Sequence, residues 1–258
     1  MIRHSNPFRG IVTALRTLTA LPVPGPDSST LAGALPWFPT VGFILGVLLY
    51  GIAVGLSALT SGLWPGGVAV AVLIAGVLLT RALHLDGLAD WADGFWGARD
   101  RDKTLAIMKD PCVGSFGAAA IACILLARWA CIARAVGLDH ADWIVAAMIT
   151  SRTMQVLLAA SQPYARAEGG TAAPFVKGAT RLHRIVAPAG AVALLLAAGR
   201  LNWTWIAAFA VAWAATPLFG RWCRRRVGGV TGDLLGAWSE LTETLTLAFG
   251  VTVSLIRS

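Results

Sequence analysis

Three aspartates, Asp86, Asp90 and Asp93, stand in the run His84-Leu85-Asp86-Gly87-Leu88-Ala89-Asp90-Trp91-Ala92-Asp93-Gly94 of an otherwise apolar chain. At about 100° per residue an α-helix holds their carboxylates within roughly 60° of one another, on one face over two turns. Carboxylates crowded this closely favour protonation, and a cation between them relieves the repulsion. Oxygen donors without cysteine suit a hard ion, Mg²⁺ or Mn²⁺. The competing reading is a solvated helix end that caps a membrane segment. His84 adds a group that could deprotonate an attacking hydroxyl, or orient Asp86 through a hydrogen bond. Its position does not choose between them.

Further groups fall on the same side of the sequence pattern. Gly114-Ser115-Phe116-Gly117 opens an apolar segment, and glycines at a helix start leave N–H groups open to phosphate oxygens, although packing explains such a pair equally well. Gly228-Gly229-Val230-Thr231-Gly232-Asp233 is a glycine-rich turn ending in an acid. Asp233 is either a helix cap or a fourth carboxylate for the site. Arg128 and Arg152 fall near the middle of apolar segments, where an ion is costly unless it serves a polar cavity or a partner. They are candidates for phosphate, with pairing to Glu240 or Glu243 as the alternative.

These residues must be positioned by membrane helices. The chain is 57% hydrophobic and 13% charged, against about 25% charged in soluble domains, and its mean hydropathy is +0.70. From Ser28 to Thr80 there is no charged residue or histidine, enough length for two spans of about 20 residues. The pattern predicts an all-α, polytopic helix bundle of about seven spans (six to eight) forming one domain over residues 1–258: 41–60, 67–83, 114–136, 142–160, 185–199, 203–220 and 234–256. The connectors 84–111, 161–184 and 221–233 are long and basic. With Arg3, Arg9, Arg16 and Arg81 they gather 16 of the 21 Lys and Arg residues on one side, which the positive-inside rule makes cytoplasmic.

Topology and anionic headgroups explain the net charge of +8 without nucleic acid. Residues 7–26 read as an interfacial amphipathic helix and a Pro-rich turn, with Phe8, Ile11, Val12, Leu15 and Leu18 opposite Arg9 and Arg16. A cleavable signal is not expected there, since arginines interrupt the apolar stretch. The four cysteines form no CxxC pair and read as reduced.

The aspartate run, Arg99-Asp100-Arg101, Ile107-Met108-Lys109-Asp110, Gly114-Ser115-Phe116-Gly117 and Gly229-Val230-Thr231-Gly232-Asp233 with Gly236-Ala237 resemble the motifs of cobalamin synthases, the adenosylcobinamide-GDP ribazoletransferases. Leu18-Thr19-Ala20-Leu21-Pro22-Val23-Pro24 and Phe38-Pro39-Thr40-Val41-Gly42 extend the resemblance over nearly the whole chain. Pro111-Cys112-Val113 is less polar than the family pattern, and Trp91 and Trp96 are bulkier. The resemblance implies a multi-pass enzyme of the cell inner membrane, with its site facing the cytoplasm. It would take adenosylcobinamide-GDP and α-ribazole, or α-ribazole 5′-phosphate, and release GMP with Mg²⁺ as cofactor. Asp86, Asp90 and Asp93 are the expected metal ligands, and Asp233 either completes that set or orients the nucleophile at the substrate. Arg99, Lys109, Ser115, Arg128 and Arg152 are expected at the substrate, and other cobalamin-pathway enzymes are expected partners.

Two other classes fit less well. CDP-alcohol phosphotransferases use DG-x2-AR…G-x3-D-x3-D, which fails at Asp90, where no Arg follows; aspartate-motif prenyltransferases need an Asn before an Asp-x2-Asp-x3-Asp run. A cation or metabolite transporter predicts mid-span acids in paired repeats.

Overall fold

A computed structural model describes residues 8–257. Pro7 and Arg3, part of the N-terminal reading, lie outside them. The described residues form eleven α-helices and one 3-10 helix, with no strand beyond a single bridge between Tyr164 and Val230. The protein is an all-α polytopic bundle. Each expected span coincides with a helix: α2 (Phe38–Leu59), α3 (Pro65–Thr80), α6 (Ser115–Gly137), α7 (Trp143–Ser161), α9 (His183–Ala198), α10 (Trp203–Val227) and α11 (Gly232–Arg257). By length and composition four segments qualify as spans among the described residues, or five with the bent pair formed by α3 and the helix after it. His183–Ala198 is short for a span, and α11 carries Glu240 and Glu243.

Helix α7 is the axis of the bundle. Every residue from Trp143 to Ala159 is buried, and α2, α11, α9 and α10 pack around it. Gly42 and Gly46 let α2 approach the α7 backbone at Met148 and Val145, where a side chain would collide. Helices α2 and α3 instead expose Val47, Leu48, Val54, Val70, Ile74 and Leu78, apolar residues that suit a surface facing lipid.

Two loops expected from the sequence are largely helical. Residues Leu83–Gly97 form α4 and Arg101–Ile107 form α5. Helix α4 leaves α3 at 90° through two consecutive left-handed residues, Arg81 and Ala82, each at φ 55°. Such residues cost about 1–2 kcal/mol apiece, offset here by burial of ten of the fifteen α4 residues. The polar composition of 84–111 suggested a connector; packing against α11 and α6 overrides it. Likewise Arg221–Val227 continue α10 rather than starting a loop, because arginine is a good helix former. The helix stops only at Gly228, at φ 84°. Segment 161–184 includes the short α8 (Ala173–Gly178).

At the N-terminus, α1 (Phe8–Leu18) presents Gly10, Thr13, Ala14 and Leu18 to the bundle. Leu15 packs partly against the core, Ile11 and Val12 are half-buried, and Phe8 is 70% exposed. Arg16 closes the Pro-rich turn onto the helix, donating to Val23 O, Gly25 O and the Asp27 carboxylate.

Candidate active site

Three stretches distant in sequence meet at one end of the bundle. Arg101 donates to Val227 O at 3.0 Å and to Ala165 O at 2.9 Å. Arg226 donates to Phe95 O at 2.9 Å and to Ala98 O. Ala165 N–H and Val230 O, with Val230 N–H and Pro163 O, lock the 160s loop to the glycine-rich turn. Arginine side chains on backbone carbonyls thus splice 84–111, 161–184 and 221–233 into one platform. Arg81 joins α1 to it by donating to Arg16 O.

The acids meet where α4 crosses the start of α11. A Cβ on Gly87 would lie 2.7 Å from Asp233 O and 2.9 Å from Asp233 Cα, and one on Gly236 would lie 3.2 Å from His84 Cα. At position 87 only glycine allows this approach, and at 236 a side chain would be tight. It seats Asp233 between Asp86 and Asp90, the residues on either side of Gly87 by one and three positions. Asp86 is exposed, Asp90 half-buried and Asp93 buried. Burial first, then the Asp233 and Asp86 carboxylates, push the Asp90 carboxyl up to about 7, against the pull of Arg166. Crowding of this kind is the condition that a hard divalent cation relieves.

Asp233 turns toward Arg166, 3.0 Å away, and Thr231 Oγ1 at 3.2 Å. Arg166 also donates to Met108 O, while its buried Nε has no hydrogen-bond partner among the described residues. As the side chains stand, no three His, Cys, Asp or Glu residues among those described converge on one metal position.

The other expected site residues divide. Asp93 is spent on structure: it accepts from Gly114 N–H at 2.7 Å and Gly117 N–H at 2.9 Å. The glycine pair at the start of α6 is therefore an anion cradle filled by the protein's own carboxylate rather than by phosphate. Ser115 within it is exposed, as is Arg99 between α4 and α5. Lys109 pairs with Glu168 at 2.7 Å, both half-exposed. Arg128 and Arg152 are not free for phosphate. Arg128 meets Glu240 at 2.8 Å and Glu243 at 3.1 Å, and Arg152 meets Glu243 at 3.3 Å and Ser239 Oγ at 2.6 Å, all buried. His84 is buried, with Gln155 Nε2 3.2 and 3.3 Å from its two ring nitrogens.

Sequence reasoning missed Arg166 and Gln155. Arg166 was one of several basic residues in a connector, with nothing local to mark it. Gln155 lies in an apolar helix, where an uncharged polar residue attracts little notice.

A bundle of apolar helices that gathers carboxylates and a half-buried arginine at one end defines a polytopic membrane protein with an acidic site. Its sequence matches the family model of cobalamin-5-phosphate synthase over residues 10–251. The chain belongs to that family. It is 46% identical over 250 residues to the adenosylcobinamide-GDP ribazoletransferase of Chlorobium chlorochromatii (strain CaD3), with 96% of this chain and 97% of that one covered. The protein of the same name from Chlorobium phaeobacteroides (strain BS1) is 48% identical over 250 residues, covering 96% and 99%. That of Syntrophobacter fumaroxidans (strain DSM 10017 / MPOB) is 38% identical over 244 residues, covering 93% and 96%. No solved structure matches the chain.

Proposed function

We propose that this protein is an adenosylcobinamide-GDP ribazoletransferase: it joins α-ribazole, or its 5′-phosphate, to the cobinamide phosphate of adenosylcobinamide-GDP and releases GMP. The single observation that carries the site assignment is the crossing of α4 and α11 at Gly87, which sets Asp233 against the aspartate helix. Family membership supports the substrates.

In the reaction a ribazole hydroxyl oxygen forms a bond to the phosphorus borne by cobinamide. The bond from that phosphorus to the bridging oxygen breaks, GMP leaves with the electron pair, and the hydroxyl proton passes to solvent. Such transfers need positioning and charge neutralisation more than covalent help. Asp86, Asp90 and Asp233 would hold Mg²⁺, and the raised Asp90 carboxyl is the feature of the donor set that fits it. When bound, the ion supplies positive charge for the phosphate oxygens. Arg166, held against Asp233, supplies a second cation. Lys109, opposite Glu168 at the mouth, provides a third by exchanging its carboxylate for a phosphate. Asp93 is a positioning residue that ties α4 to α6.

The protein sits in the cell inner membrane with this platform toward the cytoplasm, where GDP-activated substrate is made available. The gathering of three arginine-bearing segments at one end supports that orientation. The test is GMP release by purified protein in lipid, given adenosylcobinamide-GDP, α-ribazole and Mg²⁺. Release that requires all three is expected; release independent of α-ribazole would replace transfer by hydrolysis.

A further inference from the structure

A cavity of about 260 Å³ opens beside the acids, between α1, the 3-10 helix Leu31–Trp37, the start of α2, α4, α7, α8 and α11. Its walls are Leu18, Leu35, Phe38 and Phe175, and its polar lining includes His84, Gln155, Asp86 and Asp233. Phe38 and Phe175 stand with ring centroids 6.0 Å apart and tilted by 56°. The volume is at the small end of ligand sites, suited to a nucleoside and several-fold too small for a corrinoid macrocycle. Among the described residues no lysine or arginine lines it, so none of them offers a diphosphate a cation there. The charged groups among its described lining residues are the Asp86 and Asp233 carboxylates, at the side where transfer takes place. Burial of an uncharged amide against an imidazole, with both facing a cavity, suits a flat heteroaromatic molecule that has an acceptor nitrogen.

Resting on the ribazoletransferase reading, we propose that this cavity seats the nucleophile: the aromatic base of α-ribazole packs against the wall that Phe38 and Phe175 form together, its free ring nitrogen accepts a hydrogen bond from the Gln155–His84 pair, and its ribose hydroxyls reach toward Asp86 and Asp233. The two substrates then enter different places. The corrinoid and its diphosphate stay on the platform side with Arg166, and only the nucleoside penetrates the helices. His84 acts here as a positioning residue for the base rather than as a proton acceptor.

The experiment varies α-ribazole at saturating adenosylcobinamide-GDP in wild type, Gln155→Leu and Ala172→Phe, the last filling the cavity from its α8 side. Each variant should raise KM for α-ribazole about tenfold or more, the effect of losing one hydrogen bond or the space for the ring. KM for adenosylcobinamide-GDP should stay within twofold. An α-ribazole analogue whose free ring nitrogen is replaced by C–H should lose a similar factor with wild type and almost none with Gln155→Leu. Should Gln155→Leu fail to accumulate, the analogue on wild type and the Ala172→Phe variant decide. Unchanged α-ribazole KM in Ala172→Phe, or a wild type blind to the ring nitrogen, would overturn the cavity assignment while leaving GMP release intact. A wild type that releases no GMP from the two substrates sinks the underlying activity as well.

Discussion

Helix α11 carries two charged clusters that differ in one respect. Toward its middle, Glu240 and Glu243 face Arg128 and Arg152, two anions for two cations, with Ser239 and Thr244 accepting further hydrogen bonds. At its start, Asp233 joins Asp86 and Asp90, three acids for one largely buried arginine, Arg166, while Asp93 is already held by backbone N–H groups. A balanced cluster is finished and can only be damaged. An unbalanced one is left wanting a cation, so its members stand ready for a ligand at the expense of the resting fold. Buried ion pairs are costly to create and costlier to break, which makes the inner cluster a clasp between α6, α7 and α11.

Breaking the clasp should give the largest effect. Glu243→Leu strips both arginines of a partner, and a loss of about 3–5 kcal/mol is expected. It should appear as a lowered unfolding midpoint in detergent, and a shift under ~1 kcal/mol would show that the inner cluster is solvated. At the outer cluster, Asp86→Asn and Asp233→Asn should each slow GMP release about 10²-fold or more, with expression and unfolding midpoint near wild type. If both keep wild-type rates at saturating Mg²⁺, the acids do not hold the metal.

The contrast sharpens with pH. Asp90 titrates near 3.8 when unfolded and about 7 when folded, so the folded state retains a proton through that window. Stability is highest at the acid end, falls as pH rises through the window and reaches its low plateau above about 7. Asp90→Asn removes the penalty. The variant should match wild type near pH 4 and exceed it at pH 8 by about 1–2 kcal/mol, a figure reduced because the group is half-exposed. Saturating Mg²⁺ should erase the difference, because the ion stabilises only the wild type. A variant that loses activity and gains stability at pH 8 marks a ligand site; one that loses both returns Asp90 to ordinary packing. The smallest effect belongs to the exposed pair, where Lys109→Ala should cost under ~1 kcal/mol in unfolding experiments.

The helices of the bundle were readable because a membrane imposes apolar runs of fixed length: all seven runs coincide with helices, of which four, or five with the bent pair, qualify as spans among the described residues. The one-face spacing of Asp86, Asp90 and Asp93 was readable for the same geometric reason. What escaped was long-range. That Asp93 fills the Gly114–Gly117 cradle depends on α4 folding back at 90°, which two left-handed residues without glycine gave no sign of. That Arg128 and Arg152 belong to Glu240 and Glu243 was one of two open readings, since a mid-span arginine looks alike whether its partner is a glutamate or a substrate. The arginines at 221–226 read as part of a basic connector, yet they extend α10, and Arg226 reaches back to α4. Arg166 acquires its meaning only from Asp233, 67 residues away.

The contact at Gly87 also fixes how the two acidic helices can change their spacing. Backbone rests on backbone there, so the gap already stands at the floor that atomic radii set. Every larger residue at position 87 pushes in one direction, outward, and no compensating change elsewhere can draw the helices closer. The width of the opening between Asp86, Asp90 and Asp233 is thus a one-sided quantity: drift in this protein can enlarge it, and only a return to glycine restores it.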